Sequence, residues 1–337
     1  MPRAMLVYDL CAASGWLDQT RYYEAGMASV TELCRFHTPE YIAALMRAEI
    51  EQDLPAALRQ QTRIGADANV IHPVVFRRPA TSAGAALLMA GLLAQGATVH
   101  APCVGNHHGQ PARASGFCFV NDIALAILRL RDLGFRRIAY LDLDAHHGDG
   151  VEAAFATDPE VLTISVHEAG RWPRTGTVHD AAHGIYNFPV PPGFNDTELD
   201  YLMQAAILPR LRAFAPEVIL LLPGADALAD DRMSGLSLSN NALWRAVGDV
   251  RALGGRLAVL GGGGYNPFAL ARSWAGIWAR LNGIAIPEVL PAPVTEILAT
   301  VRFARQAGAV PAHWLTTLAD PASAGPVREA VKRLGDA

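Results

Sequence analysis

Three apolar runs in this chain stop abruptly in polar or glycine-rich sequence, and that repeated ending narrows the accessible folds more than any other feature. Arg137-Ile138-Ala139-Tyr140-Leu141 runs into Asp142-Leu143-Asp144-Ala145-His146-His147-Gly148-Asp149-Gly150, a Leu- and Val-rich run ends in Pro223-Gly224-Ala225-Asp226, and residues 257–260 end in Gly261-Gly262-Gly263-Gly264-Tyr265-Asn266. Runs this short and apolar read as buried strands, with candidates at residues 5–8, 98–100, 137–143, 161–167, 218–223 and 257–260. Between them, residues 82–96, 120–133, 198–214 and 240–253 carry apolar side chains at helical spacing. The alternation predicts an α/β fold with a mostly parallel sheet covered on both faces. Ligands bind such sheets beyond the carboxyl ends of their strands, so the three endings are expected to meet at one site.

The residues at those ends carry metal chemistry. Asp144 and His146, two apart, can offer an oxygen and a nitrogen to one ion, and Asp226 emerges from a buried run where a carboxylate needs a strong partner. Two carboxylates with an imidazole suit zinc, with iron(II) as the alternative, and leave a position open for water. His107 and His108 lie between Gly105 and Gly109, where glycine allows close approach to a substrate and imidazole titrates near neutral pH. Asp142 and Asp149 remain to orient them as a general base requires. The four glycines before Tyr265 lack a full dinucleotide fingerprint, because Asn266 stands where its last glycine belongs. They are expected to bend the backbone round the site and aim the Tyr265 hydroxyl inward, where it can donate to an oxyanion.

The 337 residues, 51% hydrophobic, suffice for one large domain, and the formal net charge of -4 gives no basic footprint for nucleic acid. Lys332 is the only lysine; the Ala- and Arg-rich composition points to a bacterial source. Cys11, Cys34, Cys103 and Cys118 form no CxxC pair, which fits reduced thiols in the cytoplasm, and no signal peptide or membrane span is expected. The Pro-containing stretch 286–293 divides the chain into a catalytic domain, residues 1–285, and a helical extension, residues 286–337, expected to pack on it.

Taken in order, Gly105 to Gly109, Ala114-Ser115-Gly116-Phe117-Cys118-Phe119-Val120-Asn121-Asp122, Asp142 to Gly150, Gly224 to Asp226 and Gly261 to Asn266 resemble the histone deacetylase family of zinc-dependent amidohydrolases. The resemblance runs from about Phe36 to Trp278 and implies an arginase-like three-layer fold and hydrolysis of an acetylated amine. It implies Asp144, His146 and Asp226 as zinc ligands, His107 and His108 as the catalytic histidines backed by Asp142 and Asp149, and Tyr265 as the transition-state tyrosine. It also implies Phe117 and Trp172 as walls of an acyl-lysine channel beside Gly116, and a structural potassium ion near Asp142, Asp144, His146, Ser165 and Val166.

The chain departs from its relatives in several places. Gly148 stands where the two-manganese arginases want a carboxylate, which favours a single metal over ureohydrolysis. Trp172-Pro173-Arg174-Thr175-Gly176 replaces a Pro-Gly-Thr-Gly segment at the channel mouth, and Met233 takes the gatekeeper position; both weigh against a cationic polyamine. The N-terminal region lacks a His-Pro-Glu segment common in bacterial members. The expected activity is removal of an acetyl group from a lysine side chain or related acylated amine. The rivals are an acetylpolyamine or other small-molecule amidohydrolase and a non-catalytic acyl-lysine binding protein, the latter needing neither paired bases nor tyrosine. Nothing in the sequence sets an oligomeric state.

Overall fold

In the computed structural model, which describes residues 3–304 and 308–336, six strands form one all-parallel sheet. They are β1 (Val99–Ala101), β2 (Ile138–Asp142), β3 (Val161–Glu168), β4 (Ile185–Val190), β5 (Val218–Leu222) and β6 (Arg256–Leu260), in spatial order β1-β6-β5-β2-β3-β4. Alternation within β2 makes the layers. Ala139 and Leu141 join a core completed by the helices Asn240–Ala252 and Pro267–Asn282, whereas Ile138 and Tyr140 join one under the helices Arg77–Ala94 and Asp122–Asp132. The arginase/deacetylase-like α/β expectation holds. Because β6, β5 and β2 are immediate neighbours, the loops that leave their carboxyl ends open side by side.

Two local expectations need correction, and one strand was not anticipated. Residues 5–8, expected as a strand, lie inside a helix, Arg3–Ala13, whose Leu6, Val7, Leu10 and Cys11 are buried. A four-residue apolar run does not distinguish strand from buried helix; the wider spacing does, and this helix packs on Pro267–Asn282. Residues 198–214, expected as one helix, are two, Asp196–Leu202 and Leu208–Phe214, joined by a wide π-type turn over Met203–Ile207. Pro209 has no N–H to give the preceding turn, and the wider turn absorbs that loss. The sequence reading missed β4 because Asn187 and Pro189 interrupt it; β4 is an edge strand, where proline is tolerated.

Beyond residue 285 the chain forms the helices Ala292–Thr300, His313–Thr316 and Glu329–Gly335. Leu290, Val294, Leu298, Trp314, Leu318 and Val331 from this segment are buried in the same cluster as β2 and β3. Among the described residues, no helix is long and apolar enough to cross a membrane, and the four cysteines are unpaired.

Candidate active site

The sheet delivers its side chains to one place. Asp142 is the last residue of β2, and the chain beyond it is held in shape by its carboxylate, which accepts from the Asp144 N–H at 3.0 Å. Asp144, His146 and Asp226, all buried, each bring one donor atom to within 4.8 Å of the others. His146 Nδ1 lies 3.2 Å from Asp144 Oδ1 and 3.0 Å from Asp226 Oδ2. Burial and the Asp144 charge push the Asp226 carboxyl up to about 6, whereas His146, against the penalty of burial, is raised to about 10 by the two acids. Two buried carboxylates facing one imidazole form a concentration of negative charge that a cation neutralises.

The two loop histidines lie next to this group, their rings tilted by 49° with centroids 3.9 Å apart. His107 Nδ1 lies 2.7 Å from Asp142 Oδ2, and His108 Nδ1 lies 2.7 Å from Asp149 Oδ1. Their environments drive them apart. Burial opposes a charge on His107, but Asp142 and Asp144 outweigh it and raise its pKa to about 9; burial and the His107 charge lower His108 to about 4. The Tyr140 hydroxyl also donates to Asp142 Oδ2, at 2.7 Å. His147, next to the metal-like trio in sequence, lies outside it. Its ring nitrogens meet Thr175 Oγ1 at 2.8 Å and Glu152 Oε2 at 2.9 Å, tying the 172–176 loop to the helix Asp149–Phe155.

Gly263 shows why the third strand end is glycine. Its N–H donates to Asp144 Oδ2 at 2.6 Å, and a Cβ there would overlap the Asp226 carboxylate. Past it, Tyr265 and Asn266 donate their backbone N–H groups to Asp231 Oδ2 at 2.5 and 2.9 Å. Burial, then the Asp226 and Asp144 charges, push the Tyr265 phenol well above its usual pKa, so it remains a donor.

A cleft of about 1350 Å³ opens onto these groups, lined by His108, His146, Asp149, Gly116, Phe117, Trp172, Arg174, Met233 and Tyr265 among others. Trp172 stands edge-on to His108 with centroids 4.6 Å apart, and Phe117 lies 5.9 Å from the Tyr265 ring, so each aromatic flanks one side of the chemistry. Both are about half exposed, Phe117 at 48% and Trp172 at 46%, as mouth residues are. Ser165 sits beside Asp142 in the β2–β3 register, with Val166 next along β3.

Several contributors escaped the sequence reading. Asp231 holds the Tyr265 turn, Asn69 Oδ1 accepts from the Phe117 N–H at 3.0 Å, and Arg3 Nη1 donates to the carbonyls of Gly262 at 3.0 Å and Gly264 at 3.2 Å. Asp231 follows Asp226 in an acid-rich loop, a usable signal; Arg3 acts across 259 residues and leaves none.

The histone deacetylase domain model matches residues 1–281, most of the chain. The chain belongs to the histone deacetylase family. Among its relatives, histone deacetylase 8 of Xenopus tropicalis is 32% identical over 299 residues, covering 86% of this chain and 80% of that protein. The acetoin utilization protein AcuC of Bacillus subtilis (strain 168) is 32% identical over 304 residues, covering 86% and 78%. Histone deacetylase 1 of Oryza sativa subsp. japonica is 36% identical over 281 residues, 81% of this chain, and the chain spans only 54% of that protein. The crystal structure of a histone deacetylase homologue complexed with SAHA superposes with a TM-score of 0.93 at 35% identity, covering 100% of this chain and 93% of that one.

Proposed function

We propose that this histone deacetylase family member hydrolyses the amide of an acetylated lysine side chain. The observation that carries the reading is the pair of imidazoles, each backed by its own carboxylate at 2.7 Å, with His108 lining a cleft shared with Tyr265 and with His146 of the three-donor group. One imidazole and two carboxylates converging in a buried pocket fit a divalent ion of mixed nitrogen and oxygen coordination, zinc or iron(II), held by Asp144, His146 and Asp226. Such an ion supplies polarisation of an acyl carbonyl and a water of lowered pKa.

The chain's own residues do the rest. Asp149 accepts a hydrogen bond from His108 Nδ1–H, which leaves Nε2 as the free base; His108 also lines the cleft, so it accepts the proton from the attacking water and returns it to the departing amine nitrogen. His107 and Asp142 lie behind it and hold the charge balance. The Tyr265 hydroxyl donates to the oxygen that turns negative as the carbonyl becomes tetrahedral. Phe117 and Trp172 enclose the apolar stem of the lysine. Asp142, Asp144, His146, Ser165 and Val166 are proposed to hold a structural potassium ion, and the four unpaired thiols support a reducing, cytoplasmic setting. Arg174, exposed at the rim, opposes a polycation and ranks acetylpolyamines second.

Acetate release from acetyl-lysine peptides, with zinc-loaded protein, tests the reading. Tyr265→Phe is expected to lower turnover about 100-fold, and Asp226→Ala to abolish both turnover and stoichiometric metal. Undiminished turnover in Tyr265→Phe would remove the oxyanion role, and absence of hydrolysis with metal bound would overturn the reading.

A further inference from the structure

The charges round the cleft do not cancel. Seven Asp, Glu or Arg side chains line it: Arg63, Asp67, Arg113, Asp149, Glu168, Arg171 and Arg174. Five are already engaged. Arg63 pairs with Asp67, Arg171 pairs with Glu168 with a second contact at 3.0 Å, and Asp149 is taken by His108 at 2.7 Å. Arg113 and Arg174 remain, both exposed, with no ion pair or side-chain hydrogen bond among the described residues. Their placement follows the channel walls. Arg113 precedes Phe117 in one loop, pinned by its carbonyl accepting from the Gln110 N–H at 3.1 Å. Arg174 follows Trp172 in the other, its backbone turned at φ 66° and its N–H bonded to the Arg171 carbonyl at 2.7 Å. Each half-exposed aromatic thus has an unmatched guanidinium in its own loop, in a protein whose net charge is -4.

We propose that Arg113 and Arg174 recognise a carboxylate carried by the substrate beside its acylated amine. The proposal rests on the deacetylase reading for what enters the channel and adds what must stand outside it. A guanidinium is a persistent cation with a planar fork that matches a carboxylate, and a neutral or basic neighbour would leave both forks unmatched. Two sources present this chemistry: an acidic side chain flanking the acetyl-lysine in a peptide, or the free α-carboxylate of a small acylated amino acid.

Two matched pairs of probes separate the sources, each measured for affinity with metal-loaded protein at low ionic strength. The first is an acetyl-lysine peptide flanked by Asp against its Asn counterpart; the second is Nε-acetyl-lysine against its α-carboxamide. The acid of at least one pair is expected to bind about fivefold more tightly than its neutral partner, and 0.5 M salt is expected to erase most of the difference, at roughly that concentration by screening. Arg113→Gln/Arg174→Gln should bring the ratio close to one. A preference confined to the peptide pair assigns an acidic side chain, and one confined to the small pair assigns a free carboxylate; either supports the proposal. Equal affinity within both pairs, or a preference that survives the double substitution, overturns it. Acetate release in the same samples reports separately on the deacetylase reading. Lost hydrolysis with the affinity ratio intact strikes that reading and leaves this one standing.

Discussion

At the scale of single residues, the site depends on positions where nothing larger fits. Gly116 has φ 52°, and a Cβ on it would overlap both the Trp172 and His108 rings. Phe117, next to it, also adopts a positive φ, 66°, a conformation that costs an L residue about 1 kcal/mol or more. The turn therefore leaves Trp172 and His108 room to meet over Gly116, and it carries Phe117 at the mouth in a strained conformation. Gly116→Ala is expected to displace Trp172, lower kcat/KM on an acetyl-lysine peptide at least about tenfold, and cost about 1–3 kcal/mol of stability. Gly170→Ala is the control, because Gly170 has φ 71° but no atom within 4 Å of the added Cβ. Equal loss of kcat/KM in the two variants would mean that backbone strain, not collision with the aromatic wall, accounts for the effect.

At the scale of elements, the Tyr265 turn is held by a loop that a distant helix braces. Asp231 accepts from the backbone of Tyr265 and Asn266, and the Asp230 carbonyl accepts from Asn266 Nδ2 at 2.9 Å. The Asp230 carboxylate in turn accepts from Trp314 Nε1 at 2.6 Å, while the Trp314 ring stacks on Phe268 with centroids 5.2 Å apart. Trp314→Phe keeps an aromatic face against Phe268 and removes the Nε1 donor together with part of the buried ring volume. Chemical denaturation is expected to show a loss of about 2 kcal/mol, and kcat to fall about fivefold with KM little changed, as the tyrosine loses its exact seat. A stability loss with kcat intact would confine Trp314 to packing. The strand ends that carry Asp144, His146 and Asp226 were legible in the sequence, because ligand residues cluster within a few positions of an apolar run. The brace was not: Asp230 and Trp314 meet only through the fold, and no local pattern marks either. Residues 5–8 misled for a related reason, since four apolar residues fit a strand or a buried helix face and only packing against Pro267–Asn282 decides.

At the scale of the whole molecule, a third core cluster joins the helix Pro39–Glu51 to the loop that carries the channel wall, and His37 sits at the joint. The Thr38 N–H donates to the Pro111 carbonyl at 2.9 Å, the Tyr41 hydroxyl donates to the Phe119 carbonyl at 2.7 Å, and His37 Nε2 accepts from the Asn121 N–H at 3.0 Å. An imidazole nitrogen that accepts a backbone N–H carries no proton, and burial lowers His37 to about 4 from its ordinary 6.5. The unfolded chain therefore binds this proton first as the pH falls. Stability from His37 is complete above pH 6.5 and declines by about 1.4 kcal/mol per unit towards pH 4, roughly 3 kcal/mol in all. His37→Gln retains an acceptor and cannot titrate. Urea midpoints of the metal-free wild type and variant should converge as the pH is lowered from 7 to 5, a difference in which titration of the shared carboxylates and metal-site histidines cancels. Parallel curves would show that His37 is not held neutral in the fold.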